Sequence, residues 1–334
     1  MATGRVGYST GFISDQTRLL QDIRDGLSQY NMQVDPLIET YCEPTVREVL
    51  RVSQMSLTTE TEADGGTPND QRAVYRLLST RFKSFVRRST FTQQGIEDAL
   101  PSDIDATVRQ HVIADRELLS QSFFHAAMTS HGTANTIGTA SVVGFYNGET
   151  DVPDFESSSF NGTSQVHYVG TANATLGRAE VQTLQQLIQN KGYGRGNGML
   201  TMFVNTAQTD DIVAIQDPGS GVVTGTPERV RAIDSGVWNT GIRVNGVNVV
   251  VNNNVPAGYV LMLASDVKPL VIREHVNPAV RGMMLHEGPN NLYPLVNSTF
   301  RRRFGMSVQH MGAGACLRLG NATWASPTFR YSTA

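Results

Sequence analysis

Seven histidines stand at positions 111, 125, 131, 167, 275, 286 and 310. Histidine works as a ligand or proton carrier when carboxylates, thiols or further histidines gather around it. His111 and Asp115 lie four residues apart, the geometry of half a metal site on a helix, but no further ligands follow at a matching spacing. They read as a helix-surface pair. His286-Glu287 lacks the second histidine of an HExxH zinc motif. Cys42 and Cys316 match no metal or redox spacing, and two unpaired cysteines fit a reducing compartment such as the cytoplasm. No GxxxxGK[ST] phosphate loop and no GxSxG elbow occurs. GYGRGNG, residues 192–198, follows a helical stretch and fits no dinucleotide spacing, so it reads as a flexible turn. The expectation is no catalytic set, no cofactor site and no metal site: this is not an enzyme.

Composition agrees. With 334 residues the chain can form about two domains of roughly 150 residues each. Charged residues make up 17% and hydrophobic residues 40%, neither a disordered tail nor a membrane protein. No stretch approaches the 18 or so apolar residues of a membrane span. The N-terminus has no apolar run like that of a signal peptide. A net charge of −3 argues against bulk nucleic-acid binding, which needs a basic footprint. Only Lys83, Lys191 and Lys268 among the 27 basic residues are lysines; the rest are arginines, suited to planar contacts with carboxylates at interfaces.

The elements that would position these groups run in a distinct order. Residues 1–45 read as an arm with one short helix, Asp15 to Tyr30, in which Leu19, Leu20, Ile23 and Leu27 share a face, and an extended exit between Pro36 and Pro44. In residues 46–91, VREVLRVSQMSLT and AVYRLLSTRFKSFVRRSTF are two β-prone runs around the polar TETEADGGTPND, a long hairpin with its tip at about 59–70. Such a ribbon is marginal alone and needs a surface outside its own domain. Its tip carries Glu60, Glu62, Asp64 and Asp70, and its return strand carries Arg72, Arg76, Arg81, Arg87 and Arg88. The acidic tip is expected to pair with arginines of an adjacent subunit, setting orientation more than affinity. Lys83, on the same ribbon, reads as an exposed lysine; amide formation with a neighbouring Asn would require a desolvated Lys–Asn–Glu cluster.

A long helix is predicted over 103–130, with Ile104, Val108, Val112, Leu119, Phe123 and Ala127 on one stripe and Ser102 as its cap. A second helix is predicted over Arg178–Asn190, a strand over 199–204 and a helix around 207–215. Residues 241–274 form a four-stranded meander or part of a mixed sheet, with a type I′ turn at Asn245-Gly246. Arg301-Arg302-Arg303 enters a closing strand in which Phe304, Met306 and Val308 alternate, and offers donors to phosphate or carboxylate at an interface edge.

Four stretches carry a resemblance. FKSFVRRSTFTQQGIEDALPSDIDATVRQHVIADRELLSQSFFHA, LGRAEVQTLQQLIQNKGYGRGNGMLTMFVNTAQTDDIVAI, GIRVNGVNVVVNNNVPAGYVLMLASDVKPLVIREH and FRRRFGMSVQHMGAGACLRLG together resemble the major capsid proteins of tailed bacteriophages, the Hong Kong 97-type fold. The resemblance implies an α+β fold: an arm over 1–45, an extended loop over 46–91, a peripheral domain over 92–170 with spine helix 103–130, an axial domain over 171–275, and return strands over 276–334. It also implies a head protein that self-assembles as hexamers and pentamers into an icosahedral virion shell around double-stranded DNA, built in the bacterial cytoplasm. About 45 residues precede the loop, so scaffolding is expected from a separate protein or not at all; portal and decoration proteins are the other implied partners, and contact with DNA is weak. The covalent crosslinking of some members is not carried over to Lys83. Two other readings stay open, an encapsulin-like nanocompartment shell and a soluble enzyme with its site in residues 131–177.

Overall fold

The computed structural model describes residues 12–54, 74–89, 91–92, 101–130, 142–149, 152, 166–215, 243–289 and 295–330. In chain order, helix α1 spans Phe12–Met32, α2 Pro36–Tyr41, and strands β1 to β4 span Cys42–Thr45, Val49–Gln54, Val74–Ser79 and Lys83–Arg88. Helix α3 is Pro101–Met128, β5 Tyr168–Gly170, α4 Arg178–Gln189, β6 Leu200–Val204 and α5 Thr209–Ala214. The remaining strands are β7 Arg243–Val244, β8 Val247–Val251, β9 Tyr259–Ala264, β10 Leu270–Arg273, β11 Met283–His286, β12 Thr299–Val308 and β13 Gly314–Arg318. The mixed α+β class expected from the sequence is observed. Backbone contacts divide the chain into two units, each discontinuous in sequence: Met1–Asp35 with Phe82–Leu118 and Glu274–Phe304, and Pro36–Arg81 with Leu119–Arg273 and Gly305–Ala334.

In the first unit the front half of β12 lies between β4 and β11, antiparallel to both. Alternation sends Phe300, Arg302 and Phe304 to one face and Thr299, Arg301 and Arg303 to the other. The first face builds the core. Leu20, Ile23 and Leu27 of α1 pack there with Ile104, Met283, Leu295 and Phe300, so the amphipathic stretch in the arm is a core element of this unit. Asn31 clamps the helix to the outer edge of β11: its Nδ2 donates to the Met283 carbonyl (2.9 Å), and its Oδ1 accepts the Met283 N–H (2.8 Å). The side-chain amide thus stands in for one residue of a neighbouring strand.

In the second unit a six-stranded mixed sheet has the order β5-β13-β9-β6-β8-β7. Val181, Leu184 and Ile188 of α4 pack in its core with Met202, Val204, Val249, Val260 and Met262. The Glu180 carboxylate caps that helix by accepting the Gly177 N–H at 3.1 Å. Asn245 and Gly246 both have positive φ, 57° and 79°, as the predicted type I′ turn requires. Strands β2 and β3 form a separate two-stranded ribbon, anchored by Val52 and Leu78 in a cluster with Val143, Tyr146 and Val271.

Three expectations change, and one left between two alternatives is decided. The run 73–91 is two strands: β3 pairs with β2, whereas β4 joins β12 in the other unit. The chain turns at Thr80-Arg81, where Gly305, lacking a Cβ, admits the Arg81 carbonyl. Residues 241–274 are part of a mixed sheet, with β6 inserted between β8 and β9. Both edges of β9 are occupied, by β6 and β13, so β10 pairs with β1 and β12 instead. Residues 36–41 are helical, because Pro suits a first helical position and Leu37, Ile38 and Tyr41 bury one side. Finally, α3 spans Pro101–Met128, which places Ser102 inside its first turn rather than at its cap.

Candidate assembly surfaces

The arginines predicted at interfaces separate by face. On the core face of the first unit, Arg302 bonds and pairs with the Asp115 carboxylate, their side chains 14% and 6% exposed. The Tyr30 hydroxyl donates to the same carboxylate oxygen at 2.9 Å, and the Arg116 guanidinium lies over the Tyr30 ring at 5.4 Å. Burial, then the Asp115 charge, pushes the Tyr30 hydroxyl well above its ordinary pKa. Arg87 shares this face and reaches the Ala114 carbonyl at 3.5 Å. His111 stacks on Phe300 with ring centroids 4.2 Å apart; burial and then Arg87 lower its pKa. Asp115 and His111 are therefore not a helix-surface pair, because Asp115 points into the core and is held by Arg302.

On the opposite face stand Arg88, Arg301 and Arg303 with Ser84 and Val86. Arg301 Nε donates to Ser84 Oγ (2.9 Å) and Arg88 Nη2 to Asn297 Oδ1 (2.8 Å). Both partners are neutral. Val86 is 57% exposed between them. Lys83 and Arg87 lie on β4 rather than on the ribbon, half-buried on the side of Phe85, which stacks on Phe304 at 5.2 Å. Arg88 likewise belongs to β4, so three basic residues expected on the ribbon are absent from it.

Arg76 belongs to β3 opposite Val52, and Arg81 is exposed just beyond that strand. Glu60, Glu62, Asp64, Asp70 and Arg72 lie outside the described residues. At the ribbon's base sits a cation that sequence reasoning missed. Arg273 donates to the Thr80 carbonyl (2.8 Å) and pairs with Glu48 at 3.3 Å. Nearby, the buried hydroxyls of Thr80 and Ser307 lie 2.6 Å apart. The signal for Arg302 was legible, since the alternation of Phe304 and Met306 extended backwards places it on the buried side. Asp115 had a similar signal, falling between Val112 and Leu119 on the apolar stripe of α3.

A groove of about 580 Å³ between α1 and β11 also carries arginines, but Arg24 pairs with Glu287 and Arg281 faces Glu274 at 3.9 Å. In the second unit, fully buried His167 presents Nδ1 to the Gly314 carbonyl at 2.7 Å, and burial lowers its pKa to about 4. Lys191, over the Tyr146 ring at 5.7 Å, is lowered by burial to about 7. Cys42 and Cys316 are buried free thiols. Among the described residues, no three metal-ligating side chains converge, and no helix is long and apolar enough to cross a membrane.

The architecture is that of known proteins. A chain of Mycobacterium phage Patience matches with a TM-score of 0.67 and 21% identity over 97% of each chain. The asymmetric unit of the bacteriophage PhiM1 mature capsid matches with a TM-score of 0.52 and 12% identity, over 96% of this chain and 91% of that one. This chain has a bacteriophage capsid fold. The holo-SrpI encapsulin complex of Synechococcus elongatus PCC 7942 gives a TM-score of 0.48 and 16% identity, over 90% of this chain and 92% of that one. No protein-family model matches the chain, and neither does any curated protein. On this sheet Arg302 and Arg87 are internal ties, whereas Arg88 and Arg301 bond neutral side chains on the opposite face.

Proposed function

We propose that this protein is the major capsid protein of a tailed bacteriophage, a structural subunit that assembles as hexamers and pentamers into an icosahedral shell around double-stranded DNA. One observation carries the reading: the match to a phage chain extends over 97% of both molecules at a TM-score of 0.67. The separate β2–β3 ribbon supports it, because a two-stranded sheet gains stability by lying against another surface. In this reading residues 1–45 are the arm, 46–91 the extended loop, 92–170 the peripheral domain, 171–275 the axial domain and 276–334 the return strands. The shell is built in the bacterial cytoplasm from copies of this chain, with scaffold, portal and decoration proteins as separate partners. Contact with packaged DNA is weak, in keeping with a net charge of −3.

Expression of the chain alone, followed by size exclusion and negative-stain microscopy, tests the reading. Closed particles or rings of five and six subunits are expected, with scaffold supplied if the chain alone stays dispersed. A monomer under both conditions that is stabilised by a small metabolite would overturn it.

A further inference from the structure

A small cavity of about 20 Å³ lies in the first unit, where β4, α3 and β12 meet. It has room for one water molecule or one monatomic ion, since roughly 10–15 Å³ holds a single water. The strand register sets its polar lining. Phe300 stands opposite Arg87 and Arg302 opposite Phe85, so the two arginines are diagonal neighbours on the core face, roughly 7–8 Å apart at the backbone. His111, stacked on Phe300, lines the same space from α3. Arg87 Nη2 reaches the Ala114 carbonyl at 3.5 Å, one residue from Asp115.

Charge decides between water and ion. Among the described residues the lining holds one carboxylate, Asp115, whose Oδ2 already accepts from Arg302 and from the Tyr30 hydroxyl. Arg301, also in the lining, turns its Nε to Ser84 on the opposite face. Two core-face guanidiniums therefore border a space that has one negative charge. Partly buried like charges are screened far less than solvated ones, and a small anion between them offsets their repulsion. We propose that this cavity binds a single halide-sized anion, chloride in solution, held by Arg87 and Arg302 with His111 as a further donor. The site ties β4 to α3 and β12, and it does not depend on the shell reading. The charged and titratable groups around the imidazole are Arg87 from β4, Asp115 from its own helix, Arg302 from β12 and, behind Asp115, Tyr30 from α1. Burial, then Arg87, holds the His111 pKa below its ordinary 6.5. A bound anion favours the protonated ring, so binding takes up a proton and tightens as pH falls below that value.

Thermal unfolding of the full-length chain at fixed ionic strength, with sodium gluconate exchanged stepwise for sodium chloride or bromide, tests the site. A ligand that binds only the folded state raises the melting temperature with its concentration. The rise should be larger at pH 6 than at pH 8. Arg87→Gln should weaken the apparent halide affinity at least ten-fold, whereas Arg88→Gln, on the opposite face, should leave it unchanged. His111→Phe keeps an aromatic ring on Phe300 and should abolish the difference between pH 6 and pH 8. It also keeps the test open if Arg87→Gln fails to fold. A crystal soaked in bromide should show one anomalous peak inside the cavity. The same halide response in the native chain, Arg87→Gln and Arg88→Gln overturns the proposal. So does a cavity that holds water only in the bromide-soaked crystal.

Discussion

Arg302 and Asp115 form an ion pair whose side chains are only 14% and 6% exposed, and Tyr30 donates a second hydrogen bond to the same carboxylate. Three segments distant in sequence, α1, α3 and β12, are thereby tied at one buried charge. The arrangement follows from strand alternation. Between Phe300 and Phe304 the middle residue of the buried face is an arginine, and a buried guanidinium requires a counter-charge.

Removing one partner strands the other. Asp115→Ala should cost about 3–5 kcal/mol in urea unfolding, because Arg302 stays buried without a counter-charge. Asp115→Leu combined with Arg302→Met should cost less than Asp115→Ala alone, since neither charge then remains. Tyr30→Phe should cost about 1.5 kcal/mol, the value of one hydrogen bond to a charged group.

Gly282 has φ +78°, and a Cβ there would run into the Asn31 side chain that clamps α1 to β11. Gly282→Ala therefore combines backbone strain with loss of that clamp, and should destabilise by at least about 1 kcal/mol. Hydrogen exchange should quicken in the last turns of α1 while β6 and β9 in the second unit stay protected. Uniform acceleration through both units would show that the clamp is not the element affected.

The His167 pKa, near 4 in the folded chain, lies below its ordinary value of 6.5. The unfolded chain then binds a proton in this interval that the folded chain rejects, so the stabilising effect is complete above about pH 6.5 and is lost as pH falls toward 4. The difference is of order 3 kcal/mol from a shift of this size. Denaturation midpoints of the native protein and of His167→Asn, which keeps a donor for the Gly314 carbonyl, should diverge between pH 7 and pH 4, with the variant the flatter. Parallel curves would remove His167 as the source.

The Thr80 and Ser307 hydroxyls are both buried and bond each other beside the ribbon. Ser307→Ala leaves the Thr80 hydroxyl without its partner and should cost about 1–3 kcal/mol in thermal or urea unfolding. Thr80→Val with Ser307→Ala removes both polar groups and should recover most of that loss.

Local pattern carried the elements whose signal is contained in a few neighbouring residues. The apolar stripes of α1, α3 and α4 and the Asn-Gly turn before β8 depend on spacing and on allowed backbone angles, which a linear chain displays directly. The strand pairings were less legible. Residues 74–79 and 83–88 have similar β propensity, yet they join different sheets, because a short break at Thr80-Arg81 passes beside a glycine more than two hundred positions further along. The candidate site divides in the same way. Its residue types were evident as an acidic stretch and a set of arginines, and strand alternation marked Arg302 as facing inward, but the carboxylate that holds it, Asp115, comes from a remote helix.

The sequence by itself determined the α+β class, the positions of the main helices and the absence of a recognisable catalytic motif, since each of these rests on residue types and short-range spacing. Tertiary structure decided which strands share edges and which remote carboxylate, Asp115, compensates the buried arginine. The physical reason is that burial and charge compensation depend on groups brought from remote parts of the chain, and their energies exist only after the strands have paired.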